Sequence, residues 1–459
     1  MISAMNTDNL SCTFCFRNMT NMLLPSTARQ GTLLWTKGYP MDKRAILWTK
    51  ETSPLLRKYG KIRKKEQKKG KNTVRTLSER TAGFTDSVIR RMTRVSIQYG
   101  AVNLSQGFPD FDPPKEMTDR LAEVASIGPH QYALTWGAQN FREALADKIE
   151  HFSGMKVNPD TELVVTCGST EAMMAAMMSV TNPGDKVVIF SPFYENYGAD
   201  TILSGATPIY VPLIPPTFHF DPEVLEDAFR QGAKALILCN PSNPCGKVFT
   251  REELMQIAFL AEKYDAYVIT DEVYEHILYA PNVHTYFATL PGMRERTIVC
   301  NSLSKTYSIT GWRLGYVQAS PEIIDRVKKV HDFLTVGAAA PLMEAAVTGL
   351  RFPDSYYQNL QAHYTHMKDL FVSGLKDIGL PFTEPQGAYY VLLDISEFGY
   401  ADDEQFCLDL AEKVGVGAVP GSSFFREDVN HLIRMHFAKK DETLKAALDR
   451  LVDIRRLKR

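Results

Sequence analysis

Residues 235–274 read Ala235-Leu-Ile-Leu-Cys239, Asn240-Pro-Ser-Asn-Pro-Cys-Gly246, a helical period over Arg251–Tyr264, then Tyr267-Val-Ile-Thr270 and Asp271-Glu-Val-Tyr274. Two short, almost wholly apolar runs flank one helix, and each run stops at polar groups. A strand that is apolar on both faces must be covered on both faces, so this unit specifies strands of a parallel sheet joined by a helix. The same rhythm continues outward. Runs at Leu163–Cys167, Lys186–Phe190, Thr207–Val211, Thr297–Asn301 and Leu314–Val317 complete seven predicted strands, with helical patterns at Ser169–Thr181 and Pro321–Phe333. The expected fold class is α/β. A large domain over 115–333 holds a mostly parallel seven-stranded sheet between helices. A smaller α+β domain, 72–114 and 334–459, has long helical stretches and strands around Gly387–Asp394 and Leu432–Ala438.

The 459 residues, 44% hydrophobic and 23% charged, exclude collagen-like, coiled-coil and wholly disordered chains. The longest apolar run, Ala172 to Val180, is about half of what a membrane span needs. A net charge of −1 conceals an asymmetry: residues 1–71 carry 15 basic and 4 acidic side chains, a charge of +11, leaving −12 on the rest. An acidic body argues against nucleic acid or an anionic membrane as partner. The basic segment ends in the run Lys61–Lys71 and reads as a flexible extension, either a plain tail or an organellar transit peptide. No secretory pattern precedes it and Cys167, Cys239 and Cys300 sit in apolar surroundings, so a cytoplasmic location is expected. Cys12 and Cys15 form a lone C-x-x-C without a second pair, and no metal site is assigned.

Open α/β sheets bind ligands beyond the carboxyl ends of their strands. Asn240–Gly246 follows one strand and Asp271–Tyr274 ends another. Ser302-Leu-Ser-Lys-Thr306 follows a third, trailed by Gly311-Trp-Arg-Leu-Gly315. A fourth turns through Gly168-Ser-Thr170 into a helix whose first N–H groups suit an anion. Together these groups suit a phosphorylated aromatic aldehyde held by a lysine. Lys305 supplies the amine, Asp271 a carboxylate for a pyridine nitrogen, and Asn243 and Tyr274 donors for a ring oxygen. Ser302, Ser304, Arg313 and the Gly168–Thr170 turn would surround the phosphate. Each alone has a plainer reading, as a helix cap, a turn or a solvated loop. Their joint occurrence at strand ends does not.

From about Leu77 to the C-terminus the chain resembles the fold-type I, class I pyridoxal-phosphate (PLP) aminotransferases. The similarity is greatest to the kynurenine/glutamine/methionine branch, which includes cysteine-conjugate β-lyases. The motifs are Asn103–Phe111, Gln131-Tyr132 with Gly137, Asn240–Gly246, Thr270–Tyr274, Ser304-Lys305 with Gly311–Gly315, and Ile433-Arg434. The resemblance implies that Lys305 is the Schiff-base lysine, with Asp271 the pyridinium partner and Asn243 and Tyr274 on the ring oxygen. It places Ser169, Thr170, Ser302, Ser304 and Arg313 around the phosphate, and Tyr194 stacked on the ring. Arg434, helped by the Gly107 backbone, would fork onto the substrate α-carboxylate. Tyr132 would reach the phosphate of a neighbouring subunit, implying a homodimer with shared sites. Arg434 also stands on its own: a guanidinium in the apolar run Leu432–Ala438 is costly without an anion to meet.

The implied function is transfer of an amino group from an L-amino acid to a 2-oxo acid such as 2-oxoglutarate, within amino acid metabolism or biosynthesis. Val336-Gly337, Thr170 and Ile89 stand where kynurenine-using relatives carry aromatic or histidine side chains, and no second arginine for a dicarboxylate is evident. Medium apolar donors such as Met or Leu, or Gln, are therefore expected ahead of aromatic ones. His130 and His436 receive no role, His436 being packed or solvent-facing. A C–S β-lyase on the same scaffold shares these motifs. A PLP-sensing regulator would need a winged helix-turn-helix, whose pattern residues 1–71 do not show.

Overall fold

The computed structural model describes Arg75 and residues 77–459. The Cys12/Cys15 pair and the Lys61–Lys71 run lie outside the described residues. Contacts divide the chain into Met1–Leu77 and Ser78–Arg459, and the second unit carries the fold.

Seven strands make the main sheet, in the spatial order Leu163–Thr166, Gly315–Gln318, Thr297–Ser302, Tyr267–Asp271, Ala233–Cys239, Lys186–Ser191 and Thr207–Ile214. Gly315–Gln318 runs antiparallel to both neighbours and the remaining pairs are parallel. A two-residue strand, His219–Phe220, extends the far edge. The expected strands are all present, with ends displaced by at most three residues.

The unbroken apolar runs follow from coverage on both faces, because successive residues of a strand point to opposite sides. Val187, Ile189, Ala235, Ile237 and Ile269 share one core with Ala172, Ala176 and Met177 of the Ser169–Val180 helix. Val188, Phe190, Leu236, Leu238 and Val268 share another with Leu225 of the Pro222–Arg230 helix and Leu254 and Ile257 of the Arg251–Lys263 helix. That last helix opens on a reciprocal capping box between Thr250 and Glu253.

A second, three-stranded antiparallel sheet has Leu432–His436 between Tyr390–Asp394 and Val419–Pro420. Its core joins Ile433, Met435 and Phe437 to Phe371 and Leu375 of the Asp354–Ile378 helix and Leu444 of the Asp441–Leu451 helix. Met92 of the Val88–Gln98 helix enters the same core. The Ala340–Leu350 helix, beyond the boundary expected at 333, packs on the Lys115–Ile127 and Gln139–Ser153 helices through Met343, Ala346, Met117 and Phe141. No described helix is long and apolar enough to cross a membrane.

Candidate active site

The parallel strands of the main sheet end on one edge, and a cavity of about 1010 Å³ opens there. Asp271 is the last residue of its strand, in register with Cys239 and Cys300 on either side. Burial pushes its carboxyl upward, opposed by the phenol of Tyr197, which donates to Oδ2 at 2.6 Å, and by the charge of Lys305. One strand over, the chain leaves Ser302 into the turn that carries Lys305. Among the described residues no carboxylate pairs with the Lys305 ammonium group; it donates to the Gly107 carbonyl at 3.3 Å, with the Tyr274 and Tyr389 rings within 6 Å. Burial is the main reason its pKa falls to about 8; the Asp271 charge opposes this, and Arg313 and Arg434 reinforce it. A lysine so placed keeps a usable fraction of free amine near neutrality.

The phosphate-like end is built from backbone. Gly168 has φ +81°, and a Cβ there would run into the Arg313 guanidinium. This is a position only glycine fills without strain. Arg313 itself sits in the left-handed region at φ 54°, an uncommon conformation for a side-chain-bearing residue, and that twist aims the guanidinium at the turn. Beside it open the first N–H groups of the Ser169–Val180 helix, and Ser304 Oγ is buried without a partner among the described residues. Guanidinium, helix start and orphaned hydroxyl are the donor set of a phosphate monoester.

Arg434 comes from the second sheet. It is 1% exposed, donates from Nη1 to the Asn243 side-chain oxygen at 2.7 Å and from Nη2 to the Ser105 carbonyl at 2.8 Å, and leaves Nε without a partner among the described residues. Tyr390 and Phe424 lie against it, 4.4 and 4.5 Å from ring centre to guanidinium carbon. Several of its five N–H donors therefore remain for a carboxylate, in a dry setting where such a pair is strong.

Gly107, Ser169, Thr170, Tyr194, Asn243, Asp271, Tyr274, Ser302, Ser304, Lys305, Arg313 and Arg434 all line this one cavity. Tyr132 does not; it is 89% exposed. Ile89 and Thr170 line the cavity as expected for the pocket, but Leu334 and Thr335 do so where Val336-Gly337 was expected. His436 is fully buried, with both ring nitrogens unpartnered among the described residues. Sequence reasoning missed Tyr197, Tyr390, the Ser105 carbonyl, and two further arginines, Arg80 and Arg90, in the cavity wall. Tyr197 carried a weak signal, one helical turn past Tyr194. The others carried none.

Residues 99–451 match the family Aminotransferase class I and II. The chain belongs to that family. It is 36% identical to the methionine aminotransferase of Escherichia coli over 366 residues, covering 80% of this chain and 95% of that one. It is 32% identical to the kynurenine–oxoglutarate transaminase of Dictyostelium discoideum, covering 84% and 100%. The solved E. coli methionine aminotransferase superposes with a TM-score of 0.80 at 34% identity, over 83% of this chain and all of that one. Aspartate aminotransferase from Thermus thermophilus superposes at 0.77 and 29%, with the same coverage. The protein is thus a PLP-dependent transaminase of fold type I, moving amino groups between amino acids and 2-oxo acids.

Proposed function

We propose that the cavity around Lys305 holds PLP and performs transamination of a medium-sized apolar L-amino acid, such as Met or Leu, or of Gln. The observation that carries this reading is the convergence of Lys305, Asp271 and Arg434, from three separate elements, on one cavity. When bound, PLP supplies an electron sink for the bonds at the substrate α-carbon. The chain's own groups do the rest. Arg434 binds and orients the α-carboxylate, leaving the α-carbon facing Lys305. The Lys305 amine, largely freed of its charge penalty by deprotonation, takes and returns the α-proton. Asp271, oriented by Tyr197, holds a proton on the ring nitrogen; Asn243 and Tyr274 meet the ring oxygen. Ser169, Thr170, Ser302, Ser304 and Arg313 hold the phosphate, and Tyr194 covers the ring.

Ile89, Phe108 and Leu334 line the cavity together with Thr170 and Thr335, which supports an apolar or amide side chain over a large aromatic one, while Arg80 and Arg90 in the same wall make Glu a donor to include in the test. The exposed Tyr132 would serve the phosphate of a second copy, so the working unit is a homodimer. The test is the visible absorbance of the PLP-loaded protein as single amino acids are added without a 2-oxo acid. Loss of the lysine-bound band with Met, Leu or Gln supports the reading and ranks the donors. A band that persists while pyruvate and ammonia appear from cystathionine would make elimination the main activity. No band even with excess PLP would remove Lys305 from its role.

A further inference from the structure

The cavity wall beside Arg434 includes a phenol, Tyr390, that the reaction as described does not use. Tyr390, at the start of its strand, places its hydroxyl 2.9 Å from the hydroxyl of Tyr274. The same hydroxyl presses on the Cα of Gly107, where a Cβ would collide with it. Its ring lies under the Arg434 guanidinium, and the residue lines the cavity. Tyr389, its neighbour in sequence, donates instead to the Gly107 carbonyl at 2.9 Å, the acceptor that Lys305 also uses. The two adjacent tyrosines thus divide the work, one on the lysine's acceptor and one on Tyr274. Burial pushes the Tyr390 phenol up, so it stays a protonated donor across the working range.

A phenol has one proton to donate and two lone pairs to accept with. Alone, the Tyr274–Tyr390 pair is satisfied with either as donor. A cofactor ring oxygen beside Tyr274 is an acceptor, and it claims the Tyr274 proton. The only arrangement then left is Tyr390 donating to Tyr274 and Tyr274 donating to the ring oxygen. Donation into Tyr274 polarises its own O–H and strengthens the second bond, as in other short hydrogen-bond chains. We propose that Tyr390 is a positioning and tuning residue of the transamination site, the outer member of a two-phenol relay that stabilises negative charge on the cofactor's ring oxygen. This rests on the PLP reading given above.

The proposal has a spectroscopic signature. A better-stabilised ring oxygen favours the deprotonated form of the lysine-bound cofactor, which is seen as the midpoint of its absorbance change with pH. Tyr390→Phe keeps the ring under Arg434 and removes only the hydroxyl, so that midpoint is expected to rise by about half to one pH unit. The KM for the amino acid should stay within about twofold. The thermal unfolding midpoint of Tyr390→Phe, expected within a few degrees of wild type, guards against a misfolded variant. Tyr274→Phe is the control for the inner member. A midpoint unmoved in a folded Tyr390→Phe while Tyr274→Phe moves it overturns the relay and leaves the PLP reading intact. A wild-type protein with no such band overturns the PLP reading and the relay together.

Discussion

Two lysines in this molecule, Lys148 and Lys305, have opposite surroundings. Lys148, on the Gln139–Ser153 helix, donates to Glu275 Oε1 at 2.7 Å with both side chains 5% exposed. Burial pushes the Glu275 carboxyl up, Lys148 and His276 together more than reverse this, and Asn301 Nδ2 donates to the same oxygen at 3.1 Å. Lys305 has a carbonyl and two aromatic rings; it feels the Asp271 charge, but that carboxylate accepts from Tyr197 instead. The first arrangement fixes a cation in place. The second holds a lysine near the point of losing its proton. Contact with a carboxylate, more than depth of burial, separates a structural lysine from a reactive one.

The sharpest way to break that contrast is to truncate each. Lys305→Ala should lower turnover by more than about a thousandfold, because the group that moves the α-proton is gone. Lys148→Ala, measured on its folded fraction, should stay within about tenfold of wild type. Equal losses would show that both lysines act through the fold alone.

Arg434 extends the contrast to a cation whose anion is to be the substrate. Arg434→Ala should cost about 3 kcal/mol of kcat/KM, roughly a hundredfold, since it strips the carboxylate's partner and also frees Asn243 and the Ser105 carbonyl. Arg434→Lys should recover little, as an ammonium group cannot span three acceptors in one plane. A variant that keeps its KM for Met would move the carboxylate site to Arg80 or Arg90.

Most of this architecture was legible in the chain. The strands are apolar on both faces, and the polar groups that end them announce themselves because they interrupt that pattern. Lys305, Asp271 and Arg434 were found this way, through Ser304-Lys305, Thr270–Tyr274 and a charge stranded in Leu432–Ala438. The parts that sequence reasoning missed act through geometry created by folding. Tyr390 is an aromatic residue in an apolar strand, indistinguishable from core until its hydroxyl meets Tyr274 from a segment more than a hundred residues away. Ser105 contributes a backbone carbonyl, which has no sequence signature. Val336 was misplaced because the turn after the Pro321–Leu334 helix presents Leu334 and Thr335 to the cavity and leaves Val336, at φ 69°, half exposed.

The stability consequences run in opposite directions as well. Lys148→Met leaves Glu275 buried without its cation and should destabilise the protein by about 3–5 kcal/mol, with Glu275→Gln in the same chain recovering part of the loss. Thermal unfolding of the single and double variants measures both.

Lys305→Met should do the reverse in protein stripped of cofactor. A lysine whose pKa is about 8 when folded and 10.5 when unfolded binds more protons in the unfolded state between those values. Stability therefore rises with pH across that window, and the full penalty is present below it. Below pH 8 that penalty is about 3 kcal/mol, and replacing the ammonium group with a methyl thioether of similar length removes it. The expected result is a higher unfolding midpoint for Lys305→Met than for wild type at pH 7, with the gap closing as pH approaches 10.5. A gap that stays constant with pH would assign the gain to packing alone. A lower midpoint would mean that the Gly107 carbonyl and the tyrosine rings compensate the Lys305 charge as fully as Glu275 compensates Lys148, and the distinction between the two lysines would not hold.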